Sequence, residues 1–370
     1  MALNTIQNAR IELSRKGIRN NYEYYHSFLN PSTKILILVK ADSYGIGALE
    51  FTREIVKCGI DYLAVAFPDE GIRLRKNGIH LPIMVLTAGD GCFDEIIRFG
   101  LEPGIPNIES MQCFEKAMER MGNVSYPVHI KLDTGMHRLG FMENELPPLI
   151  GFLEKHPEIH VKSIYSHLSA DADPECDGYT MQQFALFERM SGKIMRVLPY
   201  KPMLHILNSA GIERFPQFQY DMVRLGIGIY GISDVAQDKL STVTYLRCPI
   251  IQIKTLTGED GPVGYDRKGI LPPGIHKTAT IPLGYADGIN RHFGCGKACF
   301  ELNGKLVPTI GNICMDMTML DITGMEAKVG DTVTIFGNRP TVSELADILG
   351  TIPYEIFTSL SRRLPRNIID

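Results

Sequence analysis

The chain has 370 residues, 44% of them hydrophobic, and a formal net charge of −4 at pH 7. That is enough apolar material for two domains, or for one barrel with an appendage, and the slight acidity leaves no basic footprint for nucleic acid. No uninterrupted apolar run approaches the roughly 18 residues of a membrane span, and Arg10, Glu12, Arg15 and Lys16 come before any signal-peptide core, so a metabolite-handling protein of the cytoplasm is expected.

Apolar runs with strand character occur at 35–41, 62–67, 82–87, 101–105 (a weak one), 128–132, 161–167, 204–208 and 222–229. Segments with helical spacing lie between most of them, at 49–58, 69–77, 109–121 and 182–198. Eight strands alternating with helices predict an α/β fold whose N-terminal part is a (β/α)8 TIM-like barrel. A doubly wound sheet is less attractive, because no GxGxxG follows the first strand. From about Ser241 the pattern changes to successive strands at 243–253, 278–283, 305–310, 317–322 and 332–336. A short helix at 341–349, with Thr341 as its N-cap, interrupts them. The predicted organisation is therefore a barrel over 14–240 and a C-terminal, mainly-β domain over 241–370. The N-terminal strand within 1–13 joins that second domain.

The eight cysteines, Cys58, Cys92, Cys113, Cys176, Cys248, Cys295, Cys299 and Cys314, include no CxxC pair and no histidine at zinc spacing. They read as reduced thiols, with Cys295 and Cys299 placed incidentally on a hairpin rather than as a metal clip.

The first strand ends on Lys40, followed at once by Ala41-Asp42-Ser43-Tyr44-Gly45. A lysine at the carboxyl end of an apolar strand faces a buried mouth, where an ammonium is costly unless it is paired or chemically converted. Desolvation makes it a nucleophile able to condense with an aldehyde such as pyridoxal phosphate, whereas a snorkelling lysine is the bland alternative. In a barrel the chemistry gathers at the carboxyl ends of strands. There the other strands deliver Lys131 and Asp133 to Arg138, then His167, Asn208-Ser209, and Arg224 followed by Gly226-Ile227-Gly228. Each is ambiguous alone: a core histidine, a paired arginine, a helix N-cap. Together they converge on one rim.

The lysine motif, Asp133-Thr134-Gly135-Met136-His137-Arg138-Leu139-Gly140, Ser166-His167, Asn208-Ser209-Ala210, Arg224-Leu225-Gly226, Gly284-Tyr285-Ala286-Asp287-Gly288 and Cys314-Met315-Asp316 resemble, in order and over nearly the whole chain, the motifs of the alanine racemase family. The resemblance implies an enzyme that interconverts L- and D-alanine with pyridoxal 5'-phosphate, for peptidoglycan, as a homodimer with shared active sites. It implies catalytic roles for Lys40 and for Tyr265, in the segment Gly261-Pro262-Val263-Gly264-Tyr265-Asp266, and from spacing alone Tyr265 would be a hairpin aromatic. Cofactor contacts are implied for Tyr44, Leu86, Arg138, His167, Asn208, Ser209, Arg224, Gly226, Ile227 and Tyr354. For the substrate, Arg138 and Met315 are implied, and for the entrance Tyr285 and Tyr354. Arg224 would face the pyridine nitrogen, which an arginine cannot protonate, and His167 would orient it in a network reaching Tyr265. Lys131 matches a lysine that is carbamylated in several members, while a surface Lys131–Asp133 pair is the alternative. His137 and Asn312 stand where many members carry glycine and arginine. Racemisation of serine on the same fold stays open. A non-catalytic pyridoxal-phosphate carrier would stop near Gly231, and a basic amino-acid decarboxylase would not show Cys314-Met315-Asp316.

Overall fold

The computed structural model describes residues 9–122 and 125–370. The chain divides into two compact units, one of Arg19–Ser43 with Thr52–Leu240, the other of the described residues up to Ile18, Tyr44–Phe51 and Ser241–Asp370.

Strand β1 (Arg10–Ser14) belongs to the second unit. The first unit is built on β2 (Lys34–Leu38), β3 (Tyr62–Val65), β4 (Ile83–Val85), β5 (Glu102–Ile105), β6 (Tyr126–Lys131), β7 (Ile159–Tyr165), β8 (Met203–His205) and β9 (Met222–Leu225). All eight expected strands are present, each within a few residues of its apolar run. They pair in parallel in the order β8-β7-β6-β5-β4-β3-β2-β9. Between β8 and β9 the ring is joined by two backbone hydrogen bonds, from Asp221 to Leu204 (3.1 Å) and from Arg224 to Leu207 (3.0 Å). Strands buried on both faces explain the unbroken Ile35-Leu36-Ile37 run, all at most 2% exposed. The helices Pro68–Lys76, Ile108–Arg120 and Asp177–Met195 follow β3, β5 and β7.

The second unit carries β10 (Thr244–Pro249), β11 (Gln252–Thr257), β12 (Ile275–Ile281), β13 (Cys299–Leu302), β14 (Lys305–Pro308), β15 (Thr318–Asp321), β16 (Thr332–Phe336) and β17 (Arg366–Ile369). A six-stranded sheet runs β14-β13-β16-β10-β1-β17, and a three-stranded sheet runs β11-β12-β15. The N-terminal strand thus joins this unit as expected, antiparallel to β10 and parallel to β17. The single strand expected at 243–253 is two strands in different sheets, parted after Pro249, which has no N–H to continue a ladder. Cys299 opens a β13–β14 hairpin whose turn is Asn303-Gly304, both at positive φ. Helix Val342–Leu349 has Thr341 as N-cap, in a reciprocal box with Glu344. The segment Tyr44–Phe51, within the stretch expected to be barrel, groups with this unit because it packs on the C-terminal residues. The Arg366 guanidinium donates to the Gly45 carbonyl (2.9 Å), and a Cβ at Gly45 (φ 91°) would lie 2.0 Å from the Phe357 carbonyl oxygen.

Among the described residues no helix is long and apolar enough to cross a membrane.

Candidate active site

Directly after β2 the backbone does something no residue pattern announces. Ala41, Asp42, Ser43 and Tyr44 all lie in the left-handed region, with φ of 51°, 57°, 53° and 56°. Each costs about 1–2 kcal/mol relative to the right-handed form, so the turn needs tethers. The Ser43 amide donates to the Val39 carbonyl (3.0 Å), the Ala41 amide to Glu70 (2.5 Å), and Arg73 pairs with Asp42 at 2.9 Å. Glu70 is a residue the sequence reading missed. Its second oxygen accepts from the Ala66 and Phe67 amides (2.8 and 3.2 Å), so one carboxylate holds both the start of its own helix and the turn that begins at Lys40.

Lys40 opens this turn. Burial and the charge of Arg138 lower its pKa, against a smaller opposing effect of Glu70, which favours the neutral, nucleophilic amine. Lys131, the last residue of β6, is 8% exposed, with its ammonium 5.9 Å from the centre of the Tyr165 ring. The alternative of a surface pair with Asp133 fails on that burial, and Asp133 instead accepts the Gly135 and His137 amides at 3.0 Å each. Burial, with Arg138 and Arg224 nearby, lowers Lys131 to about 8. His137 is exposed at φ 53° and lies 3.3 Å from the second Asp133 oxygen, while Arg138 is exposed.

Arg224, on β9, is 4% exposed and held from several sides. One terminal nitrogen donates to His205 Nδ1 (2.8 Å) and to the His205 carbonyl (3.2 Å). The other donates to the Ser166 and Ile206 carbonyls (2.5 and 3.0 Å) and to His167 Nδ1 (3.2 Å). The expected contact of His167 with Arg224 is present, and since arginine only donates, His167 Nδ1 accepts and its ring proton sits on Nε2. Burial and the surrounding cations, Arg224 first, hold His167 well below its ordinary pKa and therefore neutral. Burial lowers Arg224 to about 10, still a cation at neutral pH. The sequence reading missed His205, which sits on the other side of the guanidinium. A histidine ending a barrel strand was the available signal.

Ser209 Oγ accepts the amides of Gly226 (3.0 Å) and Gly228 (3.2 Å), which leaves the hydroxyl proton available to a further acceptor. Asn208 serves as N-cap instead: its carbonyl accepts the Gly211 amide (2.9 Å) and its NH2 donates to Asp171 (3.0 Å), so its side chain is already engaged. Ile227 is 8% exposed, and Leu86 follows β4 with its amide bonded to the Val65 carbonyl (3.0 Å).

In the second unit, Tyr265 is 67% exposed on a turn with Gly264, Asp266 and Arg267 at positive φ. Asn312 holds that turn by donating to the Tyr265 carbonyl (3.2 Å) and to Asp266 (3.0 Å). Two motifs distant in sequence meet: the Tyr285 and Ala286 amides donate to the Cys314 and Met315 carbonyls, both at 3.0 Å. Buried Asp287 receives a two-pronged contact from Arg363 (2.6 and 2.9 Å), which also reaches Asp316 (2.7 Å). This lattice presents Tyr285 and Met315 outward, 45% and 55% exposed. Tyr44 is buried, its ring 5.7 Å from that of Tyr354, and burial raises its hydroxyl pKa.

Comparison with known proteins covers nearly the whole chain. Residues 13–234 match the model of the alanine racemase N-terminal domain, and residues 243–368 that of the alanine racemase C-terminal domain. The alanine racemase of Clostridium kluyveri is 36% identical over 352 residues, 90% of this chain and 87% of that one. The alanine racemase of Synechocystis sp. is 33% identical over 374 residues, 98% of this chain and 99% of that one. Among solved structures, the alanine racemase of Clostridium difficile 630 superposes with a TM-score of 0.91 at 33% identity, over 98% of this chain and 95% of that one. With the two domain models matching residues 13–234 and 243–368, and with relatives 33–36% identical over most of their lengths, the chain belongs to the alanine racemase family.

Proposed function

We propose that this isomerase interconverts L- and D-alanine with pyridoxal 5'-phosphate as cofactor. The observation that carries the reading is Lys40, a half-buried amine at the end of a barrel strand whose charge is disfavoured by burial and by Arg138. The residues present fit the cofactor: an amine for its aldehyde, the free Ser209 proton with the backbone around Gly226 and Ile227 for its phosphate, and the buried Arg224 donor for its ring nitrogen. When bound, the cofactor supplies an aldehyde for condensation and a ring that withdraws electrons from the α-carbon.

The remaining chemistry belongs to the chain. Lys40 moves the proton at one face of the α-carbon, and Tyr265 moves it at the other. Arg224 would offer the ring nitrogen a hydrogen bond while keeping its own proton, which favours return of a proton to the α-carbon over other outcomes. Arg138 presents a planar fork to the substrate carboxylate. Lys131, lowered to about 8, is neutral often enough to add to carbon dioxide, forming an N–C bond and releasing a proton to solvent. The resulting anion would hold Arg138. In a homodimer, Tyr265, Tyr285 and Met315 of the partner subunit would close the mouth, and the outward placement of these three large side chains supports this.

The test is to incubate the protein with pyridoxal phosphate, reduce it with borohydride, map the label and follow optical rotation with L-alanine. The expected result is a pyridoxyl group on Lys40 and decay of rotation to zero. A label on Lys131, or constant rotation, would refute the reading.

A further inference from the structure

Behind Arg224 a continuous line of hydrogen bonds crosses five neighbouring strands, one residue from each. Arg224 (β9) meets His205 Nδ1 (β8) at 2.8 Å, His205 Nε2 meets Ser163 Oγ (β7) at 2.8 Å, Ser163 Oγ meets His129 Nδ1 (β6) at 2.6 Å, and His129 Nε2 meets Glu102 (β5) at 2.8 Å. His129, Ser163 and His205 are wholly buried, and the Glu102 side chain is 14% exposed. The barrel register allows this: His129 pairs with Ser163, whereas His205 pairs with Tyr165, two residues further along β7, so the line climbs toward the carboxyl rim. The rings are fixed by packing, His205 parallel to Tyr165 at 5.2 Å and His129 edge-on to Tyr62 at 6.2 Å.

The two ends dictate the direction. A guanidinium can only donate and a carboxylate can only accept. His205 Nδ1 must accept from Arg224, so its proton sits on Nε2 and goes to Ser163. Ser163, having accepted, gives its proton to His129 Nδ1, and His129 gives its Nε2 proton to Glu102. Every group is satisfied in one proton arrangement only. Burial and the charge of Arg224 hold His205 neutral, as that arrangement requires.

We infer that Glu102, acting through His129, Ser163 and His205, is a positioning residue that locks the donor pattern of Arg224. Without the terminal carboxylate the sense of the line is set from the Arg224 end alone, so a His205 proton on Nδ1, which would oppose the Arg224 N–H and displace the guanidinium, is resisted from one end instead of two. The inference rests on the reading of Arg224 as partner of the cofactor nitrogen, but the proton arrangement can be read without the cofactor.

The experiment labels histidine with 15N and records its ring shifts with and without pyridoxal phosphate, in wild type, Glu102→Gln, Ser163→Ala and the double variant. In wild type His129 and His205 both carry the proton on Nε2. In Glu102→Gln the His129 proton distributes between its nitrogens, kcat falls about tenfold and KM stays within about twofold. Ser163→Ala, which removes one small hydroxyl, lowers kcat similarly, and the double variant falls no further than the single ones because the line is already cut. A wild-type Nδ1 proton on either ring would overturn the inference, as would unchanged kcat in Glu102→Gln or an additive loss of about a hundredfold in the double variant. A wild type that shows the expected tautomers but does not racemise alanine would refute the proposed function and leave the proton order standing.

Discussion

Replacing Lys131 by methionine keeps most of the side-chain volume and removes a buried positive charge. In the folded chain Lys131 has its pKa lowered from 10.5 to about 8, first by burial and then by Arg138 and Arg224. Between pH 8 and 10.5 the unfolded chain therefore holds a proton that the folded chain has released, and stability rises with pH across that window. Below pH 8 the full penalty applies. At about 1.4 kcal/mol for each pH unit between the two values, the penalty is on the order of 3 kcal/mol. The absolute difference between wild type and Lys131→Met also contains packing, but its change with pH does not. Urea unfolding at pH 7, 8, 9 and 10, in buffers freed of carbon dioxide, should show the stability gap between variant and wild type moving in favour of wild type by roughly 2–3 kcal/mol as pH rises. A gap constant with pH would mean that Lys131 keeps an ordinary pKa. Adding bicarbonate at pH 8 should then stabilise wild type and leave Lys131→Met unchanged, because only the free amine can bind carbon dioxide.

Tyr265→Phe should suppress α-deuterium exchange of L-alanine far more than that of D-alanine, and equal loss from both would make Tyr265 a structural residue. Co-folding inactive Lys40→Ala with inactive Tyr265→Phe should return part of the activity if sites are shared between subunits, since a heterodimer holds one site built from unmutated halves; a heterodimer confirmed by mass but lacking activity would refute sharing. Gly228→Ala should lower stability by about 2 kcal/mol or more in urea unfolding. The new Cβ would lie 2.2 Å from the hydroxyl of Tyr25, a fully buried ring bonded to Glu213, and an unchanged midpoint would contradict that steric reasoning.

The barrel was legible because its signals are local. Strands covered on both faces read as unbroken apolar runs, and helix and strand alternate at regular intervals, so all eight barrel strands and the N-terminal partner of the second sheet were found. Lys40 was legible for the same reason, as a cation where an apolar strand ends. Only the tertiary structure decided how these residues are held. The left-handed turn from Ala41 to Tyr44 has no residue preference behind it. It exists because Glu70 and Arg73, from a later helix, tether it. The partners in the line from Arg224 to Glu102 stand 19 to 42 residues apart, on strands whose register no local pattern encodes. Long-range geometry likewise buried Lys131, because whether a polar side chain faces a ligand, a surface partner or a cavity depends on what the rest of the chain brings beside it.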